Sequence, residues 1–152
     1  MLQDIITNRA LVASGCAWAL AQLLKTLVAL LQGKGLRLHY LYGSGGMPSS
    51  HSAFVSALAT SVAMLQGLGS VTFAISFVVA LVVMYDAAGV RQSVSRQSRI
   101  INRIVGELRL GRHITHIESD LRELVGHTPF QVFAGAALGI AVAWLWITIA
   151  GA

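Results

Sequence analysis

Apolar residues dominate four long stretches of the chain, over about residues 9–32, 51–68, 70–90 and 129–151, and short polar or glycine-rich connections separate them. An α-helix crosses a bilayer with about 20 predominantly apolar residues, and each stretch is near that length. The pattern predicts an all-α fold: a polytopic membrane helix bundle of about four transmembrane helices, forming a single integral membrane domain over residues 1–152. The second stretch differs from the rest. Ser56, Thr60 and Ser61 occupy its middle, and small hydroxyl residues suit helix-to-helix packing better than lipid contact. It is therefore expected to be enclosed by the other three.

Between the third and last stretches the pattern changes. Over 92–110, Val94, Ile101, Val105 and Leu108 recur at helical spacing while Arg96, Arg99 and Arg103 line another face. This predicts a cytoplasmic amphipathic helix lying in the headgroup layer, where basic side chains meet anionic lipid. Residues 112–125 suggest a turn and a second short helix, with Thr115 and Glu118 at capping-box spacing.

Composition supports the membrane reading, with 55% hydrophobic residues and a mean hydropathy of +0.70. The leader before the first stretch carries one basic residue, Arg9, and the apolar run is too long for a signal-peptide core, so the first helix is expected to be retained. The single cysteine, Cys16, lies within that helix, where packing is its default role.

Charge adds an orientation. Of eleven Lys and Arg residues, Lys34, Arg37, Arg91, Arg96, Arg99, Arg103, Arg109, Arg112 and Arg122 fall in the connections 33–50 and 91–128. With four spans those connections share one side, and the positive-inside rule makes it cytoplasmic. A bacterial inner (cytoplasmic) membrane is the expected location, with both termini outside the cytoplasm. The membrane is the expected partner, with no nucleic acid.

Two polar knots stand out against this apolar background. Residues 45–53 read Gly-Gly-Met-Pro-Ser-Ser-His-Ser-Ala, and residues 126–129 read Gly-His-Thr-Pro. Each is a turn marked by Gly and Pro, carries a histidine, and opens a hydrophobic stretch on the same predicted face. A helix beginning near Ser49 or Ser50 would offer unpaired N–H groups to an anion, with Lys34 and Arg37 nearby in sequence. The same Pro-Ser-Ser also reads as an ordinary serine cap, and Lys34 and Arg37 as interfacial anchors.

Within the spans, Gln22, Lys25 and Asp86 are costly at membrane depth and need partners, a pocket or an interface. Lys25 reads either as a side chain snorkelling to the surface or as a group facing an anion inside the bundle. Asp86 reads either as its structural partner or as a catalytic acid. Gly135 and Gly139 form a GxxxG pair that lets another helix approach closely, which would bring His127 towards His51 or support a homo-oligomer. His113, His116 and the neighbouring acids lack the spacing of a metal site.

Pro48-Ser49-Ser50-His51, then Met84-Tyr85-Asp86-Ala87-Ala88-Gly89-Val90-Arg91, then Gly126-His127-Thr128-Pro129 running into the Gly135–Gly139 helix, together resemble the type 2 phosphatidic acid phosphatase and vanadium haloperoxidase superfamily. The combination looks most like the divergent branch of that superfamily, over about residues 22–140. The resemblance implies two-step phosphoryl transfer without a metal or other cofactor. His127 would attack phosphorus to form a phosphohistidine, and His51 would protonate the leaving oxygen. Ser49 and Ser50, with Lys25, Lys34, Arg37 and Arg91, would hold the phosphate.

The chain also departs from the superfamily pattern. Gln131 replaces the acid expected four residues after the nucleophile, and Leu121 stands where an arginine is expected. The leading basic motif is absent. Gln131 could orient the His127 ring through its amide oxygen but cannot stabilise an imidazolium as a carboxylate does; Asp86 could take that role. The expected function is a phosphatase acting on a phosphorylated membrane lipid from the cytoplasmic leaflet. The alternative is binding or transport of such a lipid without turnover.

Overall fold

The computed structural model describes residues 2–31, 46–89, 97, 100, 101 and 128–151. Lys34, Arg37, Arg91 and His127 lie outside the described residues, as does most of the expected amphipathic helix over 92–110. The described elements are helices: α1 (Leu2–Thr7), α2 (Arg9–Leu31), α3 (Ser50–Gln66), α4 (Val71–Ala88) and α5 (Pro129–Gly151). The last four reproduce the expected apolar stretches to within two residues. Three of them, α2, α4 and α5, are long and apolar enough to cross a membrane.

Local chemistry fixes the helix ends. Asn8 caps α2, its side-chain oxygen accepting from the N–H groups of Ala10 at 3.1 Å and Leu11 at 3.2 Å. Gly67 ends α3 at φ 82°, a conformation that a side chain disfavours, and donates its N–H to the Ala63 carbonyl. Ser70 then caps α4 by accepting from the Phe73 N–H at 3.2 Å. The short link makes α3 and α4 an antiparallel hairpin.

The helix α3 is the centre of the bundle, packed against α2, α4 and α5. Its facing residues are small. Ala53 and Ala57 meet Ala13, Ala17 and Ala21 of α2 and Ala143 of α5, while Val55 and Ala59 meet Ala80 of α4. Ser52 and Ser61 are fully buried on the same helix. The hydroxyl-rich second stretch is thus the enclosed one, as its composition predicts.

Large apolar side chains point outward instead. Leu27, Val82, Phe133 and Trp144 are 50%, 62%, 73% and 58% exposed. In water such a surface would be an extensive liability. In a bilayer it is the expected arrangement, because hydrocarbon solvates large side chains while small ones allow the backbones to approach.

The α3–α5 contact is the tightest described. A Cβ at Gly135 would overlap the Ser49 carbonyl, and one at Gly139 would overlap the Ala53 carbonyl. Both partners advance by four residues in the same direction, so α5 runs parallel to α3. The glycine face is therefore filled by α3 of the same chain. Homo-oligomerisation through Gly135 and Gly139 would have to displace that helix.

Candidate phosphate site at one end of the bundle

The first turn of α3 gathers three buried hydroxyls. Ser49, Ser50 and Ser52 are at most 2% exposed. Ser49 is the cap: its side-chain oxygen accepts from the Ser52 N–H at 3.4 Å and from the Ser52 hydroxyl at 3.0 Å. The Ser49 N–H in turn donates to the Gln131 carbonyl at 3.1 Å. This bond fastens the opening of α3 to the opening of α5, and the Gly135 contact lies one turn further along α5.

Gln131 belongs to a capping box. Its amide oxygen accepts the Thr128 N–H at 3.1 Å, and its own N–H lies 3.4 Å from the Thr128 hydroxyl. The amide oxygen expected to orient His127 also caps its own helix. The signal for it in the sequence is Thr128-Pro129-Phe130-Gln131, which has the spacing of that motif.

Lys25 is only 3% exposed. Its Cγ and Cδ would lie 3.0 and 3.3 Å from a Cβ added at Gly46. The side chain is therefore enclosed against the turn leading into Pro48 and Ser49. Gly46 adopts φ 81°, so glycine answers both the backbone and the space there. No sequence signal distinguished it from its glycine neighbours.

Two further candidates among the described residues occupy the same end of the hairpin. His51, in the first turn of α3, is exposed, and Asp86, in the last turn of α4, is half-buried. One turn inward, the Ser56 hydroxyl donates to Met84 Sδ at 3.7 Å and ties α3 to α4. Lys25, Ser49, Ser50 and Gln131 thus cluster around one helix start, with His51 and Asp86 on neighbouring turns. Chemically this combines a buried ammonium, small hydroxyls and a helix N-terminus, all suited to an anion. Among the described residues, no group of three or more His, Cys, Asp or Glu could hold a metal ion.

The model of the divergent PAP2 family matches residues 6–142, taking in both polar knots and the α3–α5 crossing. The chain belongs to the divergent PAP2 family. A similar relative, the uncharacterized membrane protein YuiD of Bacillus subtilis, is 36% identical over 148 residues, covering 90% of this chain and 92% of the relative. No solved structure matches. With its apolar outward faces, this divergent PAP2 chain is an integral membrane protein.

Proposed function

We propose that this divergent PAP2 protein is a phosphatase that removes phosphate from a membrane lipid at the cytoplasmic leaflet. The Ser49 N–H bond to the Gln131 carbonyl carries the reading, because it joins the helix starts that bear the two histidine motifs. A phosphate seated at Ser49 and Ser50 would meet the positive end of α3 and the Lys25 charge, with Lys34, Arg37 and Arg91 as further cations. His127 would attack phosphorus as the bond to the leaving oxygen breaks, and His51 would give that oxygen its proton. Water would then attack the phosphohistidine, releasing phosphate and restoring the imidazole. Positioned positive charge supplies most of the catalysis in such transfers.

A second reading, binding or transport of the lipid without turnover, is favoured by the capping box. Gln131 stands in the acid's place with its amide oxygen already accepting from Thr128.

Purified protein offered phosphatidate, phosphatidylglycerophosphate and a polyprenyl diphosphate separates the readings. Phosphate release that His127→Ala and His51→Ala each abolish supports the phosphatase. Release unchanged by both discards the histidine mechanism. Lipid binding with no release gives the second reading. The cytoplasmic placement is tested by labelling from outside: a cysteine introduced at Ala152 should react and one at Ser44 should not.

A further inference from the structure

The helices α4 and α5 both pack on α3 but touch each other little. Between them lies a cavity of about 580 Å³, open on one side and walled by Val82, Met84 and Tyr85 of α4 and by Val132, Phe133 and Ala136 of α5. Its size is within the about 300–1,000 Å³ of pockets that enclose small ligands. Its walls are those of two helices long and apolar enough to cross a membrane, and in a bilayer its mouth would open to hydrocarbon.

The groove also adjoins the polar end of the bundle. Tyr85 precedes Asp86 in the last turn of α4, and Val132 follows Gln131, whose carbonyl holds the Ser49 N–H. Met84 forms part of the wall and accepts the Ser56 hydroxyl from α3. The groove thus begins within a residue or two of the chain positions that bound the polar end.

We propose that the α4–α5 groove holds one hydrocarbon chain of the lipid whose phosphate occupies the Ser49–Ser50 site. The assignment rests on the lipid-phosphate reading for its polar half and on the groove for its apolar half. It makes the tail a determinant of selectivity: lipid phosphates with a long chain bind more tightly than soluble phosphate esters. It also gives the substrate a lateral entry, so the headgroup reaches the site without leaving the membrane.

The test uses the full chain in phosphatidylcholine vesicles containing phosphatidate with a photoreactive group in one acyl chain. Adducts are expected to concentrate on Val82–Tyr85 and Val132–Ala136, several-fold above those on Leu23 and Leu27 of α2. Ala136→Trp should fill the groove and remove that excess. Val82→Trp, at an already exposed position, repeats the test should Ala136→Trp impair folding. Adducts spread evenly over α2, α4 and α5, or chain-to-chain cross-links through the groove in place of lipid adducts, would overturn the proposal.

Binding of water-soluble dihexanoyl phosphatidate tests the headgroup site separately. If it persists while adducts are even, the groove assignment falls and the phosphate site stands. Groove adducts formed equally with photoreactive phosphatidylcholine, without dihexanoyl phosphatidate binding, would overturn both the groove assignment and the lipid-phosphate reading.

Discussion

Gly135 of α5 lies directly against the main-chain carbonyl of Ser49, the residue that caps α3. Adding a methyl there forces the two helices apart at the point where Ser49 also bonds to Gln131. Gly135→Ala is expected to cost about 1–3 kcal/mol, the usual range for overpacking a close contact. Gly139→Ala should behave similarly against Ala53. Gly15→Ala, where a Cβ would meet nothing within 4 Å, should leave stability unchanged or slightly raised. Unfolding in mixed detergent micelles checks all three.

The enclosed ammonium of Lys25 can be separated from its aliphatic stem. Lys25→Met keeps the packing against Gly46 and removes the charge. Binding of phosphatidate should fall about tenfold or more, since a charge-assisted hydrogen bond contributes roughly 1.5–3 kcal/mol. Equal affinity in vesicle-binding measurements would remove Lys25 from the phosphate site. Gly46→Ala should destabilise the fold by about 1–2 kcal/mol through its left-handed backbone.

Gln131 has two roles that substitution can part. Gln131→Glu retains a capping-box acceptor and places a carboxylate beside the helix start, so stability should be kept. On the phosphatase reading it should raise phosphate release, because a carboxylate can stabilise the charged imidazole of His127. Gln131→Ala should lose about 1 kcal/mol of stability with the cap. Thermal unfolding and phosphate release, measured on both variants, check these outcomes.

Ser61 is fully buried and its hydroxyl has no hydrogen-bond partner among the described residues. Ser61→Ala should therefore be neutral or stabilise by about 1 kcal/mol, since it removes an uncompensated polar group. Ser52→Ala should cost a similar amount, because it breaks the bond to Ser49. The opposite signs, read from detergent unfolding, distinguish an uncompensated buried hydroxyl from a hydrogen-bonded one on the same helix.

The helices were legible in the sequence because a bilayer demands long apolar runs, and Ser56, Thr60 and Ser61 identified the enclosed one. Ser49 was legible as a cap because Pro-Ser-Ser carries a local signal. The partners of these residues were less so. Nothing local says that Gly135 meets Ser49 or that Lys25 packs on Gly46; such contacts depend on which helix lies beside which. The glycine pair announced a close approach but not its partner, which proved to lie in the same chain. Gln131 was legible twice, as a missing acid and as a capping residue, and the second was the harder to see beside the first.

The parallel seam between α3 and α5 has a consequence for biogenesis. The first three long helices emerge from the ribosome well before α5, and during that interval the serine-rich opening of α3 lacks the partner that receives the Ser49 N–H. The Ser49 N–H bond to the Gln131 carbonyl therefore forms only once α5 has been made. A chain stopped short of Pro129 should insert, remain open at one end, and be a ready target for quality-control proteolysis.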